Sequence, residues 1–173
     1  MTFNTTFILI ERLKEQGFVE YESPRPRIDR KRRIFVAPEI WALLNGDGAI
    51  EAMFPSVEAE RVLSTFVAGY LVTLSRKGAK SDLEQLIGLD EVWALCFRKP
   101  RPGWRLFGRF VAQDILVLTK AYDRLELGRK ANYHMLAEAV IAEWERYFSD
   151  VPPYHSSEIT GYLTGGVRNV DED

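Results

Sequence analysis

Three apolar runs stand close together between residues 90 and 122, and a helical pattern follows them. The runs read DEVWALCF (90–97), WRLFGRFV (104–111) and DILVLTKAY (114–122). Runs of aromatic and branched residues between turn residues are typical of strands, and strands this close in sequence usually pair antiparallel. Residues 132–148 repeat apolar side chains every three or four positions, which predicts an amphipathic helix. This region therefore predicts a three-stranded meander followed by a helix.

The chain before residue 90 has mainly helical patterns. Helical spacing covers 5–16 and 57–75, while 18–22 and 34–36 read as short strands. Pro38 and Gly46 are typical of the start and end of a short helix. Three further local predictions are a helical piece at 48–54, a turn at NGDG (45–48), and a short helix that begins with the Ser81 and Glu84 capping box and ends at Gly88.

The order of these elements predicts an α+β fold with an antiparallel sheet whose helices cover one face. A length of 173 residues is typical of one domain, with an appendage at most. We expect three parts: an N-terminal helix, short strand and basic segment over 1–33, an α+β core over 34–150, and a tail over 151–173. The tail follows Pro152 and Pro153 and is polar, so it is predicted to be mobile.

Charge is unevenly distributed along the chain. The net charge is −2 and the sequence pI is about 5.8, which argues against a generally basic nucleic-acid binder. Residues 24–33 nevertheless carry six basic residues against one acid, and residues 98–133 carry nine against three. The second segment suggests a phosphate-binding face. The first could contact RNA or DNA backbone, or it could be a solvated basic hairpin.

Several classes of protein are disfavoured by composition. The single cysteine, Cys96, excludes an internal disulfide, and its apolar surroundings indicate a buried, inert thiol. No apolar run approaches the length of a membrane span, and the start does not read as a signal peptide, so we expect a cytoplasmic protein with no membrane partner. The two histidines lack partners at metal-ligand spacing, so no metal or other cofactor is expected.

One segment resembles a known family. The stretch GWRLFGRF (103–110) is similar to the glycine-aromatic-arginine-apolar strand of the RelE/ParE superfamily of type II toxins, especially its HigB-like branch. The strand ILVLTKAYDR (115–124) runs into a basic turn and a helix, as in that family. The resemblance covers roughly 34–148 and implies a RelE-like sheet: a strand, a helical hairpin, a three-strand meander and a C-terminal helix, here with an N-terminal helical extension.

The resemblance implies a toxin of a type II toxin–antitoxin system that inhibits translation. In the endoribonuclease branch, the ribose 2′-hydroxyl attacks the adjacent phosphate of mRNA, on the ribosome or free, without a metal ion; the ParE branch inhibits gyrase. A cognate antitoxin partner is also implied. Arg105 matches the strand arginine, Arg124 the basic residue closing the last strand, and Arg98 lies near the arginine ending the preceding strand. These three are the expected catalytic residues, because arginine stabilises charge on a phosphate.

Five further residues are expected to bind nucleic acid. Arg109 lies on the same strand face as Arg105 because side chains alternate, and the others are on or beside the meander: Trp104, Lys120, Arg129 and Lys130. A solvated strand face, a charged loop and, for the tryptophan, core packing are the competing interpretations. Tyr122 and Tyr133 could orient a nucleotide, and His134 could be a general base or a surface residue.

An alternative function stays open. Ala94 and Cys96 occupy positions where the toxin family carries polar or basic groups. These departures favour a non-catalytic module on the same fold that binds nucleic acid or an acidic protein. A homodimer through the predicted helix at 57–75 is an alternative to an antitoxin-like partner.

Overall fold

The computed structural model describes residues 3–25, 29–46, 53–128 and 130–172. Its helices are α1 (Phe3–Glu15), α2 (Pro38–Asn45), α3 (Ser56–Val67), α4 (Arg124–Leu127) and α5 (Lys130–Phe148). Its strands are β1 (Val19–Glu20), β2 (Arg33–Val36), β3 (Val72–Ser75), β4 (Leu83–Gln85), β5 (Trp93–Phe97), β6 (Trp104–Ala112), β7 (Ile115–Asp123) and β8 (Val167–Asn169). A 3-10 turn spans Ile159–Tyr162. The predicted turn at 45–48 and helical piece at 48–54 lie partly outside the described residues.

All of these strands belong to one mixed sheet. Its order is β1-β2-β7-β6-β5-β4-β3-β8. The pairs β2 with β7, β3 with β4 and β3 with β8 are parallel, and the other neighbours are antiparallel. At the centre of the sheet, β5, β6 and β7 pair antiparallel in sequence order, in the positions where the apolar runs predicted a meander.

Helices cover both faces of the sheet. Leu106 and Phe110 of β6 pack with α2 and α3 on one face. Phe107 and Val111, at the alternate positions of the same strand, pack on the other face, where α1 and α5 lie. Side chains of a strand point alternately to the two faces, so a strand buried on both faces is apolar at nearly every position. The continuous apolar runs of the three central strands follow from this arrangement.

The predicted fold class is therefore wrong. A small antiparallel RelE-like sheet with helices on one face was expected, whereas the sheet has eight strands in mixed orientation and helices on both faces. The helical spacing at 57–75 does not mark one helix: α3 ends at Val67, Gly69 adopts a φ of 72°, and residues 72–75 form β3. Residues 83–85 likewise form β4 rather than a helix. Both strands sit where the antiparallel prediction had none.

The C-terminal segment was expected to be mobile, but it packs against the sheet. Strand β8 pairs with β3 at the edge of the sheet. Tyr162 is completely buried against Trp93 and Phe110. Arg32, also without exposed surface, donates hydrogen bonds to the carbonyl oxygens of Thr164 and Gly166. Buried aromatic and backbone contacts outweigh the polar composition of this segment.

The N-terminal helix packs on the same sheet as the rest of the chain. Leu13 of α1 is buried in a cluster with Phe35 of β2 and Trp144 of α5. No helix in the part of the chain that the structure describes is long and apolar enough to cross a membrane.

Candidate functional site: a basic cleft

A cleft of about 660 Å³ opens at one end of the central strands. Cationic side chains form much of its lining, and we call it the basic cleft. Its cations are Lys77, Lys80, Arg98, Arg105 and Arg124, and its other side chains include Glu84, Leu86, Ile87, Tyr133 and His134. The three arginines expected to be catalytic, which come from three different elements of the 98–124 segment, thus line one cavity.

Several elements meet to build the basic cleft. Lys77 and Lys80 come from the loop between β3 and β4, and Glu84 from β4 itself. Arg98 directly follows β5, while Arg105 is near the start of β6 and Arg124 is the first residue of α4. The first turns of α5 add Tyr133 and His134. The cleft therefore depends on long-range packing and not on one local motif.

Arg105 is the most buried cation of the cleft. Only 7% of the residue is exposed. Its Nη1 donates to the carbonyl oxygens of Trp104, at 2.9 Å, and Phe97, at 3.3 Å. Its Nε is buried and has no hydrogen-bond partner. A buried cation with an unused donor is unusual, because a desolvated polar group without a partner costs free energy. The side chain is therefore suited to receive an anion.

The backbone geometry before Trp104 and Arg105 requires a glycine, which is Gly103. Its φ is 88°, and a Cβ atom there would lie 2.3 Å from the carbonyl oxygen of Phe97. Only glycine fits this approach without strain. The Gly103 carbonyl also accepts a hydrogen bond of 2.8 Å from the backbone N–H of Arg124. One glycine thus ties the start of β6 to the start of α4 and brings Arg105 and Arg124 to the same end of the sheet.

Arg98 and Arg124 are more accessible. Arg98 is half-buried and donates from Nη2 to the carbonyl oxygen of Ser81. Arg124 is exposed, with its guanidinium 5.6 Å from the centre of the Tyr133 ring. Cations over an aromatic face are held by the ring's electron density. The arrangement leaves most donors of both guanidinium groups available at the cleft surface.

Tyr133 presents a second unpartnered polar group. Its hydroxyl is buried without a hydrogen-bond partner, and its ring packs edge-on against Phe107 at 5.3 Å. Burial raises the pKa of Tyr133, Cys96 and Glu84 raise it further, and Arg105 and Arg124 oppose the rise. The phenol therefore stays protonated at neutral pH and can donate a hydrogen bond to a ligand.

Other residues expected to bind nucleic acid lie away from the cleft. Arg109 is 1% exposed and lies beside Trp144, donating to the carbonyl oxygen of Asp90 at 2.6 Å. Burial lowers its pKa, while Asp90 opposes the shift. Arg109 thus lies under a later turn of α5, whereas Arg105 lines the cleft together with Tyr133 and His134 of the first turns of that helix.

The remaining candidates are also separate from the cleft or beyond description. Lys120 forms ion pairs with Glu39 at 3.1 Å and Glu143 at 3.5 Å. Trp104 packs on Phe54 at 5.0 Å, on the opposite face of the sheet from Phe107. Lys130 begins α5, but its side chain lies outside the described part of the structure, as does Arg129 altogether.

Sequence reasoning missed Lys77, Lys80 and Glu84 as site residues. The available signal was the basic, glycine-containing loop RKGAK (76–80), which is typical of an exposed charged loop. Nothing local indicates that it lies beside Arg98 and Arg105. That neighbourhood arises because β4 pairs with β5, so that Glu84 lies opposite Ala94.

A separate polar cluster fastens the C-terminal segment to the sheet. Glu91, with a left-handed φ of 51° and 7% exposure, accepts hydrogen bonds from Tyr162 and from Gln85. Its other oxygen lies 2.7 Å from Nδ1 of His155. Both carboxylate oxygens of Glu91 are thus occupied within the protein. This satisfied network contrasts with the unpartnered groups of the basic cleft and indicates a structural role.

Among the residues that the structure describes, no group of three or more His, Cys, Asp or Glu side chains is arranged to hold a metal ion. Comparison of the chain with family models, curated proteins and solved structures finds no match.

Proposed function

We propose that the chain binds single-stranded RNA in the basic cleft and cleaves it as a HigB-like toxin, using its own side chains and no metal ion. The observation that carries this proposal is the convergence of Arg98, Arg105 and Arg124 on one cleft. The buried Nε of Arg105, which lacks a partner, supports an anionic ligand. Guanidinium groups bind phosphate and carboxylate groups through two parallel hydrogen bonds, and the phosphodiester of RNA is such a phosphate group.

The proposed reaction is an internal displacement at phosphorus. The ribose 2′-oxygen attacks the adjacent phosphate, the bond from phosphorus to the 5′-oxygen breaks, and a 2′,3′-cyclic phosphate and a 5′-hydroxyl result. The guanidinium groups of Arg105 and Arg124 would stabilise the negative charge that builds on the phosphate oxygens, since preorganised donors are most effective where charge develops. Arg98 would assist from the other side of the cleft.

Two side chains of α5 suit the proton transfers. Tyr133 stays protonated because its pKa is raised, so it would donate to the leaving 5′-oxygen. His134, the next residue and also in the cleft lining, would accept the proton of the 2′-hydroxyl. Imidazole is the side chain that commonly exchanges a proton near neutral pH.

A partner follows from the charge of the cleft. Five cations line it, with Glu84 as its acidic side chain. An acidic antitoxin-like segment would neutralise these cations and cover Arg105 or Arg124 without requiring a change in the sheet. We therefore propose that such a segment inhibits this protein. We also propose that the protein is cytoplasmic and that its target is mRNA, free or on the ribosome.

A second function is favoured by the apolar side chains of β5 on the face that it shares with Arg105. Ala94 and Cys96 of β5 are buried, and Cys96 pairs with Arg105 across the sheet, so β5 places no acid or base beside this arginine. A cleft that only binds RNA or an acidic protein needs cations and no acid or base. In this alternative, the arginines hold the ligand and no bond is broken.

Induced expression in bacteria tests the proposal. Wild type should arrest growth and deplete mRNA. Arg124→Ala should lower the cleavage rate about 10²-fold, and both effects should therefore be relieved. Arg146→Ala is a matched control, because Arg146 is also an exposed arginine of the helical region, 4.9 Å from the Tyr147 ring, outside the cleft lining. It should arrest growth like wild type.

The same strains distinguish the binding module from the ribonuclease. Full soluble expression of wild type without growth arrest, together with RNA binding by the purified chain, would leave the binding module as the function. Arrest that Arg124→Ala leaves unchanged would contradict the cleft as the active site.

A further inference from the structure

The loop that supplies two of the cleft's lysines is held by the C-terminal segment. Strand β8 pairs with β3, and the backbone N–H of Val170 donates to the carbonyl oxygen of Leu74 at 3.0 Å. This pairing carries the chain past the end of β3, where the loop at 76–80 begins. Asp171 then lies directly beside that loop.

The carboxylate of Asp171 is the anchor of the loop. It accepts hydrogen bonds of 2.6 Å from the Ser75 hydroxyl and 2.6 Å from the backbone N–H of Arg76. The backbone N–H of Lys77 lies 3.3 Å from both of its oxygens. Ser75 in turn accepts from the backbone N–H of Ala79 at 2.9 Å. The loop backbone therefore folds around one carboxylate and one hydroxyl.

The charge state of Asp171 is compatible with this role at neutral pH. Burial opposes ionisation, but the hydrogen bonds from Ser75, Arg76 and Lys77 outweigh it and lower the pKa. The Arg76 side chain adds a second link, because it donates to the carbonyl oxygens of Ser156 and Ser157 and to Gln85 on β4.

We propose that Asp171 is a positioning residue of the basic cleft, whose carboxylate fixes the 76–80 loop so that Lys77 and Lys80 meet the phosphates of bound RNA. The inference rests on the proposed function for its ligand. It assigns to the C-terminal segment a part in RNA binding, although none of its residues lines the cleft.

Electrostatics and positioning predict opposite results for one substitution. Asp171→Asn removes a negative charge near a cationic cleft, so charge alone would tighten RNA binding. If the carboxylate fixes the loop, its loss lowers the fraction of molecules with the loop in place. A fraction of about one fifth would raise the Kd about fivefold.

The experiment is fluorescence anisotropy with a short fluorescein-labelled single-stranded RNA. Asp171→Asn should weaken binding about fivefold, and Ser75→Ala should shift the Kd in the same direction. Glu172→Gln is the matched control: it makes the same charge change one residue later, where the side chain contacts Asn169 and not the loop. Its Kd should stay within about twofold of wild type or fall.

Amide hydrogen exchange gives a readout that needs no RNA. The amides of Lys77 and Ala79 should be protected in wild type and Glu172→Gln and exchange faster in Asp171→Asn, while amides of β5 and β6 keep their protection. Unchanged protection in Asp171→Asn, or binding that tightens as much as in Glu172→Gln, would overturn the positioning role. If wild type bound no RNA, the proposed function would fail, and exchange alone would decide whether Asp171 holds the loop.

Discussion

Two buried arginines lie in contrasting surroundings. Arg32 has no exposed surface, and its guanidinium donates to the carbonyl oxygens of Phe66, Tyr70, Thr164 and Gly166. Arg105 is 7% exposed, and its hydrogen bonds go to two carbonyl oxygens from one nitrogen, while Nε has none.

The difference shows how structural and ligand-binding cations can be told apart. Burial lowers the pKa of Arg32, and Asp114 opposes the shift, but the guanidinium stays charged because its ordinary pKa is so high. Its donors are used to join α3 to the C-terminal segment. Arg105 is almost as buried, yet it keeps donors beside a cavity. Burial alone does not distinguish the two roles, and neither does an unpartnered donor, because the buried Nε of Arg109 also lacks a partner although that residue lies beside Trp144 and outside the cleft. The combination of unused donors with a position in the cleft lining distinguishes Arg105.

The largest effect is expected from Arg32→Met. The substitution keeps an unbranched side chain in the core but removes every hydrogen bond of the buried guanidinium; the carbonyl oxygens of Tyr70 and Thr164 lose their Arg32 donors, while those of Phe66 and Gly166 keep backbone donors. We expect a loss of about 3–5 kcal/mol in the free energy of unfolding. Urea denaturation followed by tryptophan fluorescence measures it. A loss below about 1 kcal/mol would mean that the carbonyl oxygens find other donors and that Arg32 is not a structural link.

A smaller stability change is expected from Arg105→Ala. Two hydrogen bonds to carbonyl oxygens are lost, and an unsatisfied Nε is removed at the same time. We expect a loss of about 1–2 kcal/mol, measured in the same urea experiment. If Arg105→Ala destabilised the chain as much as Arg32→Met, the contrast between the two arginines would disappear, and Arg105 would be structural.

The smallest expected effect is on the reactivity of the Cys96 thiol. Cys96 on β5 lies opposite Arg105 on β6. Burial raises the pKa of Cys96 to about 11, although Arg105 and Arg98 oppose the rise. The thiol is therefore almost entirely protonated at pH 8, and the thiolate is the reactive form. Iodoacetamide should label the native chain slowly and the urea-unfolded chain rapidly. Mass spectrometry would follow the labelling. Equal rates in the two states would show that the thiol beside Arg105 is open to solvent.

The centre of the fold could be predicted from the sequence, because its signals are local. The apolar runs of β5, β6 and β7 and the periodicity of α5 are unbroken. Gly103, the glycine before Trp104, marks a backbone approach that excludes a side chain. Arg105 and Arg124 were selected through the resemblance to the toxin family, and the structure places both in the lining of one cleft.

The edges of the sheet could not be predicted in the same way. Residues 72–75 continue the apolar spacing of α3. They form a strand because they pair with β4, which is short and largely polar, and with β8, which lies far along the chain. Arg109 alternates correctly with Arg105, but packing decides that Arg109 lies beside Trp144 of α5 while Arg105 lines the cleft. Lys77 and Lys80 reach the cleft through the pairing of β3 with β4 and of β4 with β5. Tertiary packing, which no short pattern encodes, decides each case.

The salt dependence of RNA binding decides whether the basic cleft binds phosphates. Kd for a short single-stranded RNA would be measured by anisotropy across a series of salt concentrations, for wild type, Arg105→Ala, Arg124→Ala and Arg146→Ala. Each phosphate contact contributes about 0.7 to the slope of log K against log salt for single strands. We predict that Arg105→Ala and Arg124→Ala each weaken binding and lower the slope by about 0.7, whereas Arg146→Ala matches wild type. Equal affinities and slopes in all four proteins would contradict a phosphate-binding role for the basic cleft.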